Sequence, residues 1–344
     1  MNQFAQITSE LQANKKKWVI TGVAGFIGSN LLEALLGLDQ DVIGLDNLST
    51  GSKNNLQNIQ TSVSDEQWHR FQFFEGDILD ANICEQISKN ADYILHQAAL
   101  GSVPRSIEDP VNTNNSNIAG FVNMLVAAKN AGVSKFVYAA SSSTYGDHPA
   151  LPKLEESIGK PLSPYAVTKL ANELYAEVFA STYNLHSVGL RYFNIFGRRQ
   201  AINSSYAAVI PKWVGQILNN AAIQINGDGE TTRDFTYIDN VIQANILAAT
   251  VNKSKAMNQI YNIAAGERTS LLELHHLIST NVQLLNPSIK ISEPEFLPFR
   301  AGDIRHSLAD ITKANHHLGY KPTHDVSEGI KETVSWYIKN LNAE

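Results

Sequence analysis

The stretch KWVITGVAGFIGSN, residues 17–30, decides the fold of this chain. An apolar run leads into three glycines, each separated from the next by two residues, and an apolar helical period follows at once. Glycine at this spacing allows a tight turn, lets backbone N–H groups approach a diphosphate, and lets the helix sit close to the strand. The helix N-terminus then faces the phosphate charge. We therefore predict a dinucleotide-binding turn formed by Gly22, Gly25, Phe26, Ile27 and Gly28.

Outward from this turn, short β-branched runs alternate with helical periods. Such alternation indicates βαβ units and a parallel sheet covered by helices on both faces. The strand-like runs are residues 17–23, 41–47, 71–78, 91–99, 135–142 and 186–197, and the clearest helical periods are residues 26–38, 118–132 and 165–183. The predicted fold class is therefore α/β, with a Rossmann-type doubly wound parallel sheet.

The alternation loosens after about Tyr192, where short elements and a Pro-rich segment indicate a smaller α+β part. We predict a dinucleotide-binding domain over residues 1–190 and a substrate-binding domain over residues 191–344. The two are expected to interleave, because residues 234–264 have the pattern of a return to the sheet. Residues 1–14 are polar and aperiodic, and we expect an extension ahead of the first strand.

Composition narrows the class of protein. The net charge of −6 and the lack of a long basic run argue against nucleic acid as the main partner. No stretch approaches the roughly 20 apolar residues of a membrane span, and the glycine-broken run after Lys17 does not fit a signal peptide, so a cytoplasmic protein is expected. The single cysteine, Cys84, excludes an internal disulfide and a cysteine-built metal site. Neighbouring histidines diverge on a helix, so we expect no metal at His275–His276 or His316–His317.

Two acidic residues end predicted strands beside the glycine turn. Asp46 ends the second strand, where a carboxylate accepts both hydroxyls of an adenosine ribose. That carboxylate repels a 2′-phosphate, and no arginine stands beside it, so NAD is predicted rather than NADP. Asp77 ends the third strand and is a candidate ligand of the adenine amino group, with a plain turn aspartate as the alternative. The further predicted NAD contacts are Asn47, Ile78, Ala98 and Ala99. For the two alanines, packing alone is the alternative.

Tyr165 and Lys169 stand four residues apart in SPYAVTKL, residues 163–170, within a predicted helix. A free tyrosine has a pKa near 10, so holding it as a phenolate at pH 7 costs about 4 kcal/mol. A lysine one turn further on points to the same face and favours the anion, and a positively charged nicotinamide adds to this effect. Ser141, in the serine cluster that ends the fifth strand, is placed to bond a reacting hydroxyl and pass its proton to Tyr165. We predict that these three residues are catalytic, with an ordinary surface pair and a loop-capping serine as the alternatives.

Eight segments in one order resemble the extended short-chain dehydrogenase/reductase superfamily. They are GVAGFIGS, LDN, GDI, HQAA, SNIAG, SSSTYG, SPYAVTK and LRYFNIFG, and the resemblance runs from Trp18 to the C-terminal helix. Within the superfamily, AALGSVPRS, AASSSTYGDHP and GLRYFNIFGRRQ are most similar to the bacterial UDP-N-acetylglucosamine 4-epimerases of polysaccharide gene clusters. The resemblance implies bound NAD and reversible C4 epimerisation of a UDP-N-acetylhexosamine through a 4-keto sugar, for surface polysaccharide biosynthesis.

The same resemblance implies roles for residues outside the reacting pair. Asn117 would be the structural asparagine of the active site, beside the cofactor. Asn194 would contact the substrate phosphates, and Asp303 would meet the uridine ribose. Arg233 and Arg300 would clamp the diphosphate, a role that suits arginine because its fork binds phosphates through two hydrogen bonds. A solvated surface position is the alternative for each arginine.

Two features of the sequence distinguish between the reactions that similar enzymes catalyse. Related dehydratases carry an acidic residue beside the active-site serine or threonine, whereas residues 140–146 contain no carboxylate, which favours epimerisation. Ser307 stands where UDP-galactose 4-epimerases restricted to unacetylated sugars carry a bulky tyrosine, so room for an N-acetyl group is expected, with a surface serine as the alternative. The residues expected to contact the substrate on the sugar side are Gly101, Ser102, Ser141, Ser142, Ser143, Ala208 and Ser307.

Three alternatives stay open at this point. Arg105 or His306 would receive a C6 carboxylate if the substrate were a UDP-N-acetyl-hexuronic acid. A sugar-nucleotide-binding protein without catalytic activity is the alternative from another class, although a binder has no need of a matched base. The helices over residues 118–131 and 165–183 carry apolar stripes that related enzymes pair into the four-helix bundle of a homodimer, and burial within one chain would produce the same stripes.

Overall fold

A seven-stranded parallel sheet forms the centre of the computed structural model, which describes residues 3–202, 207–299 and 304–341. The strands are β1 (Lys17–Thr21), β2 (Asp41–Asp46), β3 (Phe71–Glu75), β4 (Tyr93–His96), β5 (Lys135–Ser141), β6 (Ser187–Tyr192), β7 (Ile195–Phe196), β8 (Gln224–Asn226), β9 (Thr232–Arg233), β10 (Thr236–Tyr237), β11 (Gln259–Ile263), β12 (Thr269–Ser270) and β13 (Glu295–Leu297). The central sheet has the order β11-β6-β5-β4-β1-β2-β3. This order reverses between β1 and β4, so the predicted doubly wound α/β fold is confirmed.

Helices connect the strands of this sheet. They are α1 (Gln3–Ala13), α2 (Phe26–Gly37), α3 (Lys53–Gln60), α4 (Asp65–Trp68), α5 (Ala81–Ser88), α6 (Val103–Glu108), α7 (Pro110–Asn114), α8 (Gly120–Ala131), α9 (Pro164–Tyr183), α10 (Val209–Leu218), α11 (Ile238–Thr250), α12 (Leu271–Leu285), α13 (Thr312–Leu318) and α14 (Val326–Leu341). A π-helix spans Asn115–Ala119, and 3₁₀ turns span Ser142–Tyr145 and Ser254–Ala256. In the part of the chain that the structure describes, no helix is long and apolar enough to cross a membrane.

Parallel pairing brings the carboxyl ends of the strands to one edge of the sheet. Thr21 at the end of β1 is level with His96 at the end of β4, and Ser141 at the end of β5 is level with Tyr192 at the end of β6. β6 is buried along its whole length, as expected for a strand with helices over both faces. A crevice therefore opens at this edge between β1 and β4, where consecutive connections leave in opposite directions.

The boundaries of α9 follow from its terminal residues. The Ser163 hydroxyl accepts a hydrogen bond from the Ala166 N–H at 3.1 Å, and Pro164 occupies the first helical position, where its missing N–H costs nothing. The helix ends where Asn184 adopts the left-handed conformation with φ of 56°. This fixed start determines which side chains face the sheet further along the helix.

After Tyr192 the chain leaves the sheet and then returns to it. β11 pairs in parallel with β6. Among the described residues, β11 is the edge strand on this side of the sheet. The shorter strands pair two by two: β10 with β7, β12 with β9, and β13 with β8. These short pairs form the α+β part beside the sheet, while the predicted division into two domains stays a prediction.

The N-terminal extension forms the helix α1. Phe4, Ile7 and Leu11 recur at helical spacing and pack against the main core, and Leu11 is buried. The Gln40 side chain donates a hydrogen bond from Nε2 to the Leu11 carbonyl at 2.8 Å. The polar residues between these three apolar positions made the segment look aperiodic in the sequence.

Candidate active site

A cavity of about 300 Å³ opens at the carboxyl edge of the sheet, above the glycine turn. Its walls come from the ends of β1, β2, β3 and β4 and from the start of α2. The predicted cofactor residues that line it are Gly22, Gly25, Phe26, Ile27, Gly28, Asp46, Asn47, Asp77, Ile78, Ala98 and Ala99. Residues that the sequence did not single out also line it: Leu45, Ser49, Thr50, Gly76, Gln97, Leu100 and Ser116, beside the predicted substrate residue Gly101.

Two of the glycines occupy positions where a side chain does not fit. A Cβ atom on Gly28 would lie 2.1 Å from the Gly22 carbonyl oxygen, so α2 starts too close to the turn for any other residue. Gly22 has φ of 70°, and a Cβ there would lie 2.9 Å from the Ala98 nitrogen. The close approach leaves the backbone of this turn accessible to a diphosphate at the N-terminus of α2.

The Asp46 carboxylate is held in one orientation at the end of β2. Its two oxygens accept hydrogen bonds from the Ala24 N–H at 2.9 Å and the Leu48 N–H at 2.8 Å. Burial raises the pKa of this carboxyl above its ordinary value, and the backbone N–H groups oppose that rise. A Cβ on Gly51 would lie 2.9 Å from both carboxylate oxygens, so the loop after β2 also depends on a glycine. Two carboxylate oxygens offer about four acceptor sites, which leaves capacity for the two hydroxyls of a ribose.

Asp77 and Asn47 meet across the mouth of the cavity. The Asn47 amide donates to one Asp77 oxygen at 2.7 Å, and the Leu79 N–H donates to the other at 2.9 Å. The second bond is the turn-capping interaction that was the alternative for Asp77. Since Asp77 also lines the cavity, the structure is compatible with both roles, and an adenine contact stays a prediction.

The predicted catalytic hydroxyls form a cluster at the end of β5. Ser141 shares a hydrogen bond with the Tyr165 phenol, and its Oγ accepts from the Ser143 hydroxyl at 2.9 Å and the Ser143 N–H at 3.1 Å. Burial raises the pKa of Tyr165, and the bond with Ser141 lowers it. Tyr165 is therefore a protonated phenol unless further positive charge reaches it. The helix start at Ser163 and the strand end at Ser141 thus bring together residues from two separate motifs.

Lys169 lies beneath Tyr165 on the sheet side of α9. Its Nζ is 5.9 Å from the centre of the Tyr165 ring and donates to the Ala139 carbonyl at 2.8 Å. The side chain is only 4% exposed, and burial lowers its pKa to about 8. An ordinary exposed surface pair is thereby ruled out, because an ammonium at this depth is held close to the phenol by strand and helix together.

Asn117 lies in the π-helix, a distortion that often marks a functional position. Its amide donates to the Leu100 carbonyl at 3.1 Å and to the Thr168 hydroxyl at 3.1 Å, and its carbonyl oxygen accepts from the Leu100 N–H at 2.7 Å. The side chain therefore joins the loop after β4 to α9. These bonds agree with a structural role for Asn117. Asn117, Tyr165 and Lys169 are not among the residues that line the cavity, so their contacts with the cofactor stay predictions.

Two of the predicted phosphate ligands, Asn194 and Arg233, lie on segments that a hydrogen bond joins. Asn194 has φ of 35° and donates from its amide to the Asp234 carbonyl at 3.2 Å. Asp234 follows Arg233, whose guanidinium donates to the Thr232 carbonyl at 2.9 Å. Arg233 is partly buried rather than solvated, although its contact with a diphosphate stays a prediction.

Asp234 is a residue of this region that sequence reasoning missed. It is 0% exposed, and its oxygens accept from the N–H groups of Ala265, Gly266 and Ala309 at 3.0, 3.2 and 3.1 Å. Burial raises its pKa to about 7, against the effect of these donors. The carboxylate thus ties two other segments, at Ala265–Gly266 and at Ala309, to its own. The only signal in the sequence was the position of this aspartate next to Arg233 in RDF.

The remaining predicted substrate residues are spread around this edge. Ser307 is partly buried, donates its N–H to the Thr232 carbonyl at 3.2 Å, and follows His306, whose Nδ1 is 3.0 Å from the Thr232 hydroxyl. Ser102 has φ of 91° and caps α6, and Ala208 is exposed at the start of α10. Ser142 lies in the 3₁₀ turn with Ser143. Arg300 and Asp303 lie outside the described residues.

A separate group of three possible metal ligands lies outside the residues that line the cavity. The ligand atoms of Asp239, His324 and Glu332 lie within 4.8 Å of one another. Arg198 donates to Asp239 at 2.8 Å and the Tyr237 hydroxyl donates to Glu332 at 2.8 Å, so protein groups already bind both carboxylates. The adjacent histidine pairs lie elsewhere, in α12 and α13.

Comparison with known proteins points to one group. The profile of the NAD dependent epimerase/dehydratase family matches residues 18–264. A UDP-glucose 4-epimerase from Mycolicibacterium smegmatis is 36% identical over 93% of this chain and 97% of its own length.

Two solved structures have the same architecture. A UDP-N-acetylglucosamine 4-epimerase from Methanobrevibacter ruminantium, in complex with UDP-N-acetylmuramic acid, superposes with a TM-score of 0.86 at 38% identity, over 95% of this chain and 99% of that one. A UDP-glucuronic acid 4-epimerase from Bacillus cereus, with UDP-glucuronic acid and NAD, superposes with a TM-score of 0.81 at 32% identity, over 94% and 99%. The glycine turn and the Asp46 carboxylate fit NAD, the cofactor of this group.

Proposed function

This chain belongs to the NAD dependent epimerase/dehydratase family, and from that premise we propose that it interconverts UDP-N-acetylglucosamine and UDP-N-acetylgalactosamine by inverting C4 of the sugar. NAD-dependent 4-epimerisation of a UDP-sugar follows from the family and its relatives. The N-acetylhexosamine as substrate, and a role in surface polysaccharide biosynthesis, are the finer parts of the proposal.

One observation carries the proposed reaction: the Ser141 side chain lies beside the Tyr165 phenol and lowers its pKa, and the buried Lys169 ammonium lies 5.9 Å from the centre of the same tyrosine ring. A phenol becomes a useful base when positive charge lies close by and a hydroxyl stabilises its anion. A protein that only binds a sugar nucleotide needs no such arrangement. The cluster therefore favours an enzyme over the non-catalytic alternative.

The proposed mechanism uses one base in both directions. Tyr165 accepts the proton of the 4-hydroxyl, while Ser141 forms a hydrogen bond with the oxygen of that 4-hydroxyl. Tyr165 returns the proton after the 4-keto sugar has turned over in the pocket. Lys169 stabilises the phenolate during this interval. The chemistry that a bound NAD supplies is acceptance of the C4 hydride and its return to the opposite face. No other acid is required, which agrees with the lack of a carboxylate in residues 140–146.

The substrate proposal rests on the small size of residues near the sugar side. Ser307 lies beside the Thr232 segment that precedes Arg233, and Ser143 lies in the hydroxyl cluster. A hydroxymethyl group at Ser307 leaves space that a phenol ring would fill, and forcing an N-acetyl group into a filled site costs about 1–3 kcal/mol. This argument favours N-acetylhexosamines over plain hexoses.

A UDP-N-acetyl-hexuronic acid is the competing substrate, since the Bacillus cereus structure is that of a UDP-glucuronic acid 4-epimerase. Arg105 and His306 are the side chains proposed to receive its carboxylate. His306 is bonded to the Thr232 hydroxyl through Nδ1, and Arg105 lies in α6. The same experiment tests both substrates.

The test is NMR of the purified protein with UDP-GlcNAc, UDP-Glc and UDP-GlcNAcA in parallel. We expect conversion of UDP-GlcNAc with the highest kcat/KM, and a shift of preference towards UDP-Glc in Ser307→Tyr. Ser288→Tyr, at an exposed serine in the same half of the chain, is the matched control. Equal or better kcat/KM for UDP-Glc in the unmodified protein contradicts the substrate proposal.

We also propose a homodimer formed through α9 and the helices before it. Val167, Leu174 and Val178 are 52%, 56% and 53% exposed on one face of α9, and Ile107 and Val111 are 63% and 68% exposed on the adjoining α6 and α7. Such a continuous apolar surface is typical of a site covered by a second subunit. Sedimentation that shows a monomer at micromolar concentration contradicts this part.

A further inference from the structure

The sheet side of α9 carries a line of three titratable side chains, not only a pair. Tyr165, Lys169 and Glu173 recur every four residues, so they lie one above another on the same face of the helix. Lys169 is 4% exposed and Glu173 is 5% exposed. The third member therefore places a buried carboxylate one turn beyond the lysine, on the side away from the phenol.

Glu173 is fixed in place by Arg191 of β6. The guanidinium donates from Nε and from Nη2 to the two carboxylate oxygens, both at 2.8 Å. Its Nη1 donates to the Glu155 carbonyl at 2.9 Å, and its central carbon lies 4.8 Å from the Tyr145 ring. Because the planar guanidinium of Arg191 is held on three sides, the Glu173 carboxylate bound to it has a single orientation. Sequence reasoning missed this pair because Arg191 lies inside a strand and has no local spacing to Glu173.

The charge on Lys169 depends on what surrounds it. Burial lowers its pKa and Glu173 raises it, and the pKa that results from both is about 8. Without the nearby carboxylate, the pKa of Lys169 would fall further, into the physiological range, and the lysine would lose its charge there. The Glu173 carboxylate is already paired with Arg191, so it acts on Lys169 across one helical turn and not by direct contact.

Three titratable side chains on the sheet side of Lys169 supply no negative charge. His96 of β4 is neutral, because burial and the Lys169 charge lower its pKa to about 3. Tyr138 of β5 stays a phenol, because burial raises its pKa well above 10. Tyr145 also stays a phenol, because burial raises its pKa to about 12. The charged side chains within the helices packed against α9 are Arg105 and Glu108 of α6 and Lys129 of α8.

We propose that Glu173, held by Arg191, is a positioning residue for the reaction that keeps Lys169 cationic and thereby keeps Tyr165 a competent base at neutral pH. This inference rests on the proposed epimerase function and adds to it a residue that touches neither substrate nor cofactor. Activity requires Tyr165 to lose its proton, for which a bound nicotinamide would add positive charge, and Lys169 to keep its own. In the loaded enzyme kcat therefore rises with pH through a first pKa, that of Tyr165, and falls through a second, that of Lys169. Loss of the Glu173 charge lowers the second pKa and moves the alkaline fall to lower pH.

The experiment compares Glu173→Gln with Glu177→Gln, in which the same charge is removed one turn further along α9 at an exposed position. Epimerisation at saturating substrate is followed by NMR from pH 6 to 10. For Glu173→Gln we expect the alkaline limb to move down by about one pH unit, with about tenfold less activity at pH 8.5. Glu177→Gln should superpose on the unmodified enzyme. A purely structural role of Glu173 would instead lower kcat by the same factor at every pH.

A second variant guards against a fold defect, because Glu173→Gln leaves Arg191 buried without its carboxylate. In Glu173→Gln/Arg191→Gln both charges are removed, and the alkaline limb should still lie below that of the unmodified enzyme. Unshifted limbs in both variants overturn the inference and leave the epimerase function standing. Unfolding of both variants also overturns it, since the pair is then structural. An unmodified protein without epimerase activity overturns the proposed function first, and this inference with it.

Discussion

The two faces of α9 differ in what they bury and in what they leave open. The inner face carries Tyr165, Lys169 and Glu173 against the sheet, with each polar group bonded to a strand or to the serine cluster. The outer face carries Val167, Leu174 and Val178, apolar and more than half exposed. A soluble helix usually shows the reverse arrangement, with the apolar stripe inside and charges outside.

This inversion agrees with a helix that packs on the sheet through one face and, as we propose, on a second copy of the chain through the other. Its polar inner face is tolerated because a carbonyl, an arginine and serine hydroxyls satisfy every charged group there. Its apolar outer face is explained if a second copy of the chain covers it. The two faces make opposite predictions for substitutions: inner changes should alter chemistry, and outer changes should alter association.

The largest effect is expected from Tyr165→Phe on the inner face. Loss of the phenol removes the base and should lower kcat by about 10³-fold, the contribution typical of general acid–base catalysis. NMR of UDP-GlcNAc conversion measures it, with NAD content determined after heat release to show that binding persists. Tyr175→Phe, at a tyrosine 41% exposed on the same helix, is the matched control. Retention of most activity in Tyr165→Phe refutes the proposed mechanism.

The next effect is expected on the outer face. Leu174→Glu puts a charge into the proposed dimer surface and should weaken association by about 100-fold, or about 2.7 kcal/mol. Sedimentation velocity over a concentration series measures the dissociation constant. Ser181→Glu adds the same charge at an exposed position of the same helix and is the control. An unchanged dissociation constant in Leu174→Glu removes the outer face from the interface.

A smaller effect, on folding stability, is expected at His96 of β4. His96 has a pKa lowered from 6.5 to about 3 by burial, so the unfolded chain binds a proton there that the folded chain does not. Folding stability should therefore be complete above pH 6.5 and decrease as pH falls towards 3, by about 2 kcal/mol between pH 7 and pH 5. Urea unfolding at pH 7, 6 and 5 measures this. The pH dependence should flatten in His96→Gln and persist in His69→Gln, at an exposed histidine; equal slopes in the two variants would refute the assignment.

The smallest effect, on the free energy of unfolding, is expected at Thr168, next to Lys169 in α9. Thr168 accepts a hydrogen bond from the Asn117 amide at 3.1 Å and donates to the Tyr165 carbonyl at 2.8 Å. Thr168→Val keeps the shape and removes these bonds, which should cost about 1 kcal/mol of unfolding free energy. Chemical denaturation measures it against Thr182→Val at an exposed position of α9. A cost no larger than that of the control would show that Asn117 is anchored by Leu100 alone.

Much of the sheet could be predicted because its signals are local. Each of the first strands is a short apolar run, and Gly28 marks the start of α2 by a steric requirement that no other residue meets. The Tyr165–Lys169 relation follows from helical spacing and needs no tertiary information. Residues such as Asp46, at the end of a strand beside the turn, could likewise be placed from the pattern of alternation alone.

What escaped prediction depends on contacts between distant parts of the chain. Arg191 reads as an ordinary strand residue until β6 is placed beside α9, and Asp234 acquires its role from loops that begin at Ala265 and Ala309. The π-helix at Asn115–Ala119 was not predicted, and the bonds of its Asn117 side chain go to Leu100 and Thr168, which lie in other segments of the chain. Helix α1 was missed because its three apolar residues matter only once a core exists to receive them.

The Gln40 side chain ties the start of the chain to the sheet. Its oxygen accepts from the Lys16 N–H at 3.0 Å and the Trp18 indole at 3.2 Å, while its nitrogen reaches the Leu11 carbonyl. A shortened version that begins at Lys15 would remove Leu11 from the core cluster that also contains the buried Trp18, and it would leave one Gln40 amide proton without its protein acceptor. Expression plasmids for this protein should therefore keep the first turns of α1 and carry any affinity tag ahead of them.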